Sequence, residues 1–257
     1  NGGDDGDTTG GVKPTGGSAS TAAGSGNSTA GSSVVPSAGT GTGGTAGSGG
    51  DVTPAAGVPL TPAEGWVDGM SNTLGVQGAM FSYSDTTSAM GLVEDFVGDH
   101  ACIKGTAAKV DLKCTPVAPA TDCYGTFWGA AIGLNMNQPI DTATGEGAMP
   151  MPFDASAIKG FAFEIEGGMI PAPSAIRFKV EGNGGEFCNT STKQLKAGEN
   201  QFNFDELITA CWKPVAGAAN ASSVKATVTK VAWQVVTNDK STVPFDFCVK
   251  NVRALTE

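Results

Sequence analysis

The first sixty residues lack the side chains from which a protein core is built. The first aromatic residue is Trp66, the first methionine is Met70 and the first cysteine is Cys102, whereas residues 1–60 hold 18 of the 38 glycines and 17 serines or threonines. Such a segment cannot bury enough apolar surface to offset the entropy lost when its backbone is ordered. The composition therefore predicts a low-complexity extended arm over 1–60 and one folded domain over 61–257.

The sequence also lacks an excess of basic residues and any long apolar run. The net charge is −10, of which the arm carries −3 (four aspartates against Lys13), so that −10 − (−3) leaves −7 on the domain. Without a basic face the protein would not neutralise phosphates, which excludes nucleic acids and anionic lipid surfaces as partners. No run approaches the roughly 18–20 apolar residues of a membrane-spanning helix. The chain begins at Asn1, which predicts a removed leader peptide and a location outside the cell or on its outer surface.

Histidine is nearly absent, because His100 is the only one. A Ser-His-Asp triad would have to include His100, which has no Gly-x-Ser-x-Gly motif nearby, so we interpret it as a structural or surface residue. A zinc site is also disfavoured, because none of the six cysteines forms a Cys-x-x-Cys pair.

The even number of cysteines in an acidic chain rich in Gly, Ser and Thr indicates three disulfides formed in an oxidising compartment, in preference to free thiols. Cys114–Cys123 is the pair that spacing favours, because its eight intervening residues include two prolines and would close a compact loop. The other pairs are assigned as Cys188–Cys211 and Cys102–Cys248, although other pairings remain open.

Alternating apolar and polar residues dominate the domain and predict β-strands. The apolar positions that should face the core fall in four segments: Phe161, Phe163 and Ile165; Ile176, Phe178 and Val180; Val231, Trp233 and Val235; Phe245, Phe247 and Val249. Arg177, Lys179 and Glu181 are expected to face water. In the fourth segment Val252 falls out of phase, and a bulge near Lys250 and Asn251 would restore the register.

Turn-forming clusters separate these segments, and no segment has the pattern of a capped amphipathic helix of three turns. Short strands at regular spacing predict an all-β fold, an antiparallel β-sandwich or jelly roll. Disulfides between strands distant in sequence would stabilise such a fold by about 2–4 kcal/mol each.

Three segments, 65–85, 126–139 and 231–255, resemble uncharacterised secreted or surface proteins of Gram-negative bacteria. Their β-sandwich is similar to the galactose-binding-like jelly rolls used as carbohydrate-binding modules, whose last strand commonly alternates aromatic residues with aspartate and ends near an Asn or Asp. The residues that fit this pattern are Phe245, Asp246, Phe247, Val249 and Asn251. The resemblance covers the domain but not the arm. It implies the fold and a polysaccharide partner, but it identifies no individual binding residue in this sequence.

Aromatic side chains near turns are candidates for stacking on sugars, because the apolar face of a pyranose covers an aromatic ring well. The candidates are Trp66, Tyr83, Tyr124, Phe127, Trp128 and Trp212. Each has a competing interpretation as a core residue. Trp233, in phase with Val231 and Val235, is assigned to the core.

Glu164 and Glu166 lie on one face of a predicted strand, about 6.5–7 Å apart from the strand rise, a separation that would suit an inverting glycosidase. Any solvated sheet face has the same pattern, and the segment lacks the further acidic residues of jelly-roll glucanases. We therefore predict that the protein is not an enzyme. No cofactor is predicted either, although the resemblance allows a structural calcium ion bound by Asp68, Asp85, Asp95 or Asp246.

The arm has three interpretations: a flexible tether, a segment that carries O-linked sugars, or a segment ordered by neighbouring copies of the protein. The glycosylation candidates are Thr15, Thr21, Ser32, Ser37, Thr42, Thr45 and Thr53. An arm added to a neighbour's sheet edge gains main-chain hydrogen bonds that it cannot make alone, and a head-to-tail contact that does not close makes a filament.

On these grounds the sequence favours a non-enzymatic structural subunit of an extracellular fibre, which would assemble with copies of itself through a glycosylated arm. A secreted or surface-anchored carbohydrate-binding module is the alternative. A jelly-roll glycosidase ranks last.

Overall fold

The computed structural model of the chain describes residues 56–89, 91–111, 123–183 and 185–256. All seven glycosylation candidates, from Thr15 to Thr53, lie outside these ranges, as does Cys114. The helices within the ranges are short: α1 (Cys123–Thr126) and three 3-10 helices (Pro173–Ala175, Phe204–Glu206 and Ala221–Thr227). None of these helices has the length and apolar character needed to span a bilayer.

Strands make up most of the described chain. They are β1 (Val58–Pro59), β2 (Pro62–Ala63), β3 (Trp66–Val67), β4 (Gly78–Ser84), β5 (Val93–Asp95), β6 (His100–Ala107), β7 (Ala130–Asn135), β8 (Ile158–Met169), β9 (Ile176–Gly182), β10 (Gly185–Asn189), β11 (Gly198–Asn203), β12 (Leu207–Ile208), β13 (Val228–Val235) and β14 (Val243–Thr256).

These strands form two antiparallel sheets. The first sheet has the order β11-β8-β14-β6-β5, with β1 paired to the end of β14, and the second sheet has the order β12-β10-β9-β13-β7-β4-β3-β2. Consecutive long strands therefore often lie in different sheets, so most pairing joins segments that are far apart in sequence.

The strand pairing is that of a jelly roll. Working inward from the ends of the chain, β6 pairs with β14, β7 with β13, β8 with β11 and β9 with β10, and these four pairs fall alternately in the first and second sheets. β14 then pairs with β8, and β13 with β9, which completes the sheets. A folded-over ribbon wrapped in this way is a jelly roll. The all-β, antiparallel jelly-roll fold predicted from the sequence is confirmed.

The first sheet includes residues that precede Thr61, where the sequence predicts that the domain begins. β1 pairs with Arg253 and Ala254 of β14, and the fully buried Leu60 donates its backbone N–H to the carbonyl of Val252 at 2.8 Å. A Cβ at Gly57 would lie 2.8 Å from the carbonyl oxygen of Ala254. A glycine is therefore required for this close approach of the two strands.

Six of the aromatic rings in the core between the sheets form one connected cluster, and the apolar positions predicted in the four strand segments are all buried. The rings are those of Phe161, Phe163, Phe178, Phe202, Phe204 and Trp233. Trp233 meets Phe163 nearly edge to face, with ring centroids 5.2 Å apart, a geometry that aromatic pairs prefer. The assignment of Trp233 to the core is confirmed.

The bulge predicted in the last strand is present. Between β14 and β8 the pairing passes from Lys250 opposite Glu164 to Arg253 opposite Ala162, so two residues of β14 oppose one of β8. Asn251 has a φ of 50°, in the left-handed region that asparagine tolerates better than most residues. The shift turns Val252 back into the core, where it is 3% exposed.

One residue predicted to face water is buried. The side chain of Lys179 is on the outer face of the second sheet but is only 7% exposed, and its ammonium group lies 2.5 Å from Glu186 and 3.4 Å from Glu181. β10 flanks β9 and brings Glu186 over the lysine, while Glu181 follows Lys179 by two residues on the same face of β9. The prediction for Lys179 was wrong because alternation along one strand does not show what the neighbouring strands place on top of it.

Two disulfides connect the described residues in the pairs assigned from the sequence. Cys102–Cys248 joins β6 to β14, and Cys188–Cys211 joins β10 to the turn after β12. Cys123 is disulfide-bonded as well, but Cys114 lies outside the described residues, so Cys114–Cys123 stays a prediction.

The carboxylate of Asp85 holds the end of β4 against the loop that precedes β7. Its Oδ1 accepts hydrogen bonds from Thr87 and Ser88, and its Oδ2 accepts one from the Gly129 N–H at 2.6 Å. Burial alone would raise the pKa of Asp85, but the hydrogen bonds from Gly129, Thr87 and Ser88 outweigh it and keep the pKa below its ordinary value. Because Trp128 precedes Gly129, the same contact fixes its position.

The two disulfides should contribute unequally to stability. They close loops with sequence separations of 146 for Cys102–Cys248 and 23 for Cys188–Cys211. Loop-closure entropy grows with the logarithm of loop length, so replacing the first pair by valines should lower the free energy of unfolding by about 1–2 kcal/mol more than replacing the second. Urea unfolding of both double variants measures this difference. An equal decrease in the free energy of unfolding for the two double variants, or a larger decrease for the variant without Cys188–Cys211, would contradict the expectation.

Asp85→Asn should lower the free energy of unfolding at pH 7 by about 1–3 kcal/mol, because an amide cannot accept all of the hydrogen bonds that the carboxylate accepts. The folded-state pKa of Asp85 is depressed, so its contribution is present above the unfolded pKa and is lost as pH falls through the folded value. The difference from the native protein should therefore shrink below about pH 4.

Denaturant unfolding between pH 7 and pH 3 tests this expectation. Asp154→Asn is the matched control, because Asp154 also accepts two hydrogen bonds, from Ser156, but on the exposed surface. Asp154→Asn should lower the free energy of unfolding less than Asp85→Asn does. An equal decrease for the two variants, or a decrease for Asp85→Asn that does not change with pH, would show that burial of the Asp85 carboxylate does not cause the stabilisation.

Candidate functional site

Three aromatic rings lie together on the outer face of the second sheet, and we call them the aromatic shelf: Phe81, Tyr83 and Trp128. The ring centroids of Phe81 and Tyr83 are 5.5 Å apart, and those of Tyr83 and Trp128 are 5.4 Å apart. Phe81 and Tyr83 alternate along β4 and share its outer face. A Cβ at Gly133 of β7 would lie 2.9 Å from the Phe81 ring and 3.1 Å from the Tyr83 ring. The glycine thus lets both rings lie down on the sheet.

A chain of alternating charges adjoins the shelf. The ammonium group of Lys230 lies 4.3 Å from the centroid of the Tyr83 ring and 3.0 Å from the carboxylate of Glu181. Glu181 also contacts Lys179, which in turn contacts Glu186. The register of β13, β9 and β10 creates this chain by placing Lys230 opposite Glu181 and Glu181 opposite Glu186. Hydrogen-bonding groups are therefore held in fixed positions beside the aromatic rings.

The hydroxyl group of Tyr83 lies where the shelf meets the charged chain. Burial raises the pKa of Tyr83 far above its ordinary value, and the carboxylates of Glu181 and Glu186 raise it further, so the phenol is neutral. The hydroxyl is buried close to the Glu181 carboxylate and links the shelf to the charged chain.

A cross-strand row of outward-facing residues connects the shelf to a second aromatic position. Tyr83 lies opposite Ala131, Ala131 opposite Gln234, and Gln234 opposite Arg177. Three strand spacings give the row a width of about 14 Å. The side-chain amide of Gln234 donates to the carbonyl of Trp128 at 2.7 Å, so the row and the shelf are bonded together.

Trp212 lies beyond the far end of the row. Its ring centroid is 5.7 Å from the guanidinium carbon of Arg177, and the residue is 60% exposed. Both residues line a pocket of about 180 Å³. The outer face of the second sheet thus has aromatic rings near both ends of the row, with small and polar residues between them.

Not every aromatic candidate belongs to this arrangement. The structure brings Tyr83 and Trp128 together, and it places Trp212 at the opposite end of the row. Trp66 is on the same face of the second sheet, opposite Ala79, but the loop at Gly147 approaches its ring, because a Cβ there would lie 3.1 Å from it. Tyr124 lies in α1 and is 46% exposed. Their roles in sugar stacking stay predictions.

Sequence reasoning missed Phe81, Arg177, Glu181 and Lys230 as components of one site. Phe81 could have been identified, since two aromatic residues separated by one position share a strand face. The charged residues could not, because Arg177 and Glu181 are on β9 and Lys230 is on β13, and only the strand register brings them together.

The two glutamates considered for glycosidase chemistry lie on the outer face of the first sheet. Lys250 lies between them, 2.5 Å from Glu166 and 3.9 Å from Glu164. Asn251 also donates a hydrogen bond to Glu164 at 2.8 Å. This pairing fits the interpretation of a solvated sheet face. His100 is at the start of β6, with its Nδ1 3.5 Å from the Asp99 carboxylate.

The four aspartates considered for calcium have separate roles. N–H and O–H donors occupy both oxygens of Asp85, Asp246 pairs with Lys104 at 3.0 Å, and Asp68 accepts a hydrogen bond from the Met70 N–H. Asp95 is exposed on β5. Within the described ranges, no three or more His, Cys, Asp or Glu side chains are grouped so that they could hold a metal ion. The calcium site stays a prediction.

No protein-family model matches the chain, and no curated protein matches it. Among solved structures, the chain is similar to the family 11 carbohydrate-binding module of the cellulosomal cellulase Lic26A-Cel5E of Clostridium thermocellum, with 12% identity, a TM-score of 0.41 and coverage of 80% of this chain and 97% of that one. A family 11 module from Clostridium thermocellum in complex with a β-1,3-1,4-mixed-linked tetrasaccharide matches with 10% identity, a TM-score of 0.38 and coverage of 79% and 98%. At these identities the likeness concerns the fold alone.

Proposed function

We propose that this protein is a non-catalytic carbohydrate-binding module that binds a saccharide chain across the outer face of the second sheet. The observation that carries the proposal is the aromatic shelf of Phe81, Tyr83 and Trp128 beside the paired charges of Lys230 and Glu181. A pyranose has an apolar face that packs on aromatic rings and a rim of hydroxyl groups that need donors and acceptors. The shelf and the charged chain supply both on one surface.

The extent of this face supports an oligosaccharide rather than a single sugar as the ligand. The row from Tyr83 to Arg177 is about 14 Å wide, and Trp212 adds a ring beyond it. The middle of this face is low, because Ala131 and Ala232 have only methyl side chains, Gly133 has none, and the amide of Gln234 is bonded to the carbonyl of Trp128. An extended chain could therefore cross the sheet between the shelf and Trp212.

Catalysis is not part of this proposal. The two carboxylates with a separation suited to glycoside hydrolysis, Glu164 and Glu166, lie on the first sheet and contact Lys250. Both carboxylates are therefore already engaged by an ammonium group, on the sheet that does not carry the aromatic shelf.

The alternative function considered in the sequence analysis is therefore favoured over the fibre subunit. Self-assembly and O-glycosylation both depend on the arm over 1–60, of which only 56–60 fall among the described residues, so they stay predictions. We also propose a location outside the cell, which the disulfides Cys102–Cys248 and Cys188–Cys211 support. The leader peptide and the Gram-negative origin stay predictions.

Binding of the full-length chain to a panel of soluble polysaccharides, including a β-1,3-1,4-glucan, tests the proposal by calorimetry and affinity electrophoresis. At least one polysaccharide should bind. Trp128→Ala should then weaken binding by about 1–3 kcal/mol, since it removes a ring that packs on the ligand. Met169→Ala is the control, because Met169 is a large apolar side chain, 49% exposed, opposite Asp246 on the first sheet.

Thermal unfolding of both variants should show that they remain folded. If no polysaccharide binds, or if Trp128→Ala binds as tightly as the native protein while remaining folded, the proposed site is wrong.

A further inference from the structure

Arg177 differs from the other cations on the outer face of the second sheet. Lys179 and Lys230 both form ion pairs there with Glu181. Within the described part of the chain, the guanidinium group of Arg177 has no salt bridge and no hydrogen-bond acceptor, and its contact is with the Trp212 ring. The residue is half-buried. Burial lowers the pKa of Arg177, and the charge of Glu186 offsets this only in part.

A half-buried cation without a partner is costly, because it loses hydration without a compensating interaction. The guanidinium group has five N–H donors in a planar fork, which matches the two oxygens of a carboxylate. A carboxylate from outside the chain would supply the missing acceptors.

The pocket beside Arg177 has the chemistry of a sugar site. Its volume is about 180 Å³, the volume of about six water molecules, which suits one sugar unit. Trp212 forms an aromatic wall, and Ser174, Ser191 and Gln194 add polar groups. The Cys188–Cys211 disulfide ties the residue before Trp212 to β10, so the wall is fixed to the sheet.

We propose that this pocket holds a uronic acid unit, with its carboxylate on Arg177 and its ring against Trp212, so that the ligand of the outer face is an acidic polysaccharide. This inference rests on the proposed function and specifies the class of saccharide. The net charge of −10 does not oppose it strongly, because charges more than about 8 Å away are screened at physiological salt. The local contact with Arg177 therefore decides the preference.

Titration of the full-length chain with small molecules tests this inference without a matched polysaccharide. The probes are glucuronate and galacturonate, with glucose, galactose, acetate and inorganic phosphate as comparisons, at physiological salt. The readout is the NMR signal of the Trp212 indole N–H, assigned with Trp212→Phe. A uronate should bind at least about tenfold more tightly than the neutral sugars and the simple anions. This is the difference in affinity expected from one charge-assisted hydrogen-bonded pair between Arg177 and the carboxylate.

Arg177→Gln should abolish the preference for the uronates, and Arg177→Lys should keep part of it, because the ammonium group retains the charge but not the fork. Lys104→Gln is the matched control, since it removes one positive charge from the first sheet and should leave uronate binding unchanged. The indole signal of the core residue Trp233 reports in each variant whether the fold is intact.

Equal binding of neutral and acidic sugars would overturn the inference, and so would a preference that survives in Arg177→Gln. If acetate or phosphate binds as tightly as a uronate, the pocket takes simple anions and the proposed sugar is wrong. Absence of any shift at Trp212 would also overturn it. Polysaccharide binding that depends on Trp128 would still support the proposed function in these cases, so the two failures are distinguishable.

Discussion

The pairing of β13 with both β9 and β7 determines the centre of the core and the outer face of the second sheet together. Inward, this strand places Trp233 against Phe163 and Phe178, at the centre of the core. Outward, it places Lys230 over Tyr83 and Gln234 in the row to Arg177. A slip by one residue would exchange these two faces and bury the charges while exposing the tryptophan. The packing that stabilises the sandwich therefore also fixes the geometry of the outer face.

The outer face is held by polar interactions that would be costly if they were incomplete. Lys179 is almost buried, and two carboxylates compensate its charge; removing one of them would leave part of that charge without a partner. Asp85 acts at the edge of the same face, where its hydrogen bond to Gly129 holds the loop that carries Trp128. Arg177 breaks the pattern, because it is half-buried and, in the described part of the chain, forms no salt bridge, with the charge of Glu186 offsetting its burial only in part. In a face whose other cations are paired, such an exception is the basis for placing a ligand there.

The sequence predicts which side chains enter the core better than it predicts which side chains become neighbours on the outer face. The alternation around Phe161, Phe178, Trp233 and Phe247 specifies which side chains enter the core, and the phase shift at Val252 specifies the bulge. These signals are local, since they depend on neighbours along one strand. The contacts of Lys179 and the grouping of Phe81, Lys230 and Glu181 depend on which strands are adjacent, and in a jelly roll adjacent strands are distant in sequence. For the same reason Tyr83 and Trp128 could be proposed as aromatic candidates but not as neighbours.

If the proposed function is right, the outer face of the second sheet is the surface that contacts carbohydrate. The most direct measurement is a map of backbone amide chemical-shift changes, taken while the full-length protein is titrated with an oligosaccharide from the polysaccharide that it binds most tightly. The largest changes should lie on β4, β7, β9 and β13 and in the loop at Trp128. Changes concentrated around Glu164 and Lys250 on the first sheet would contradict it.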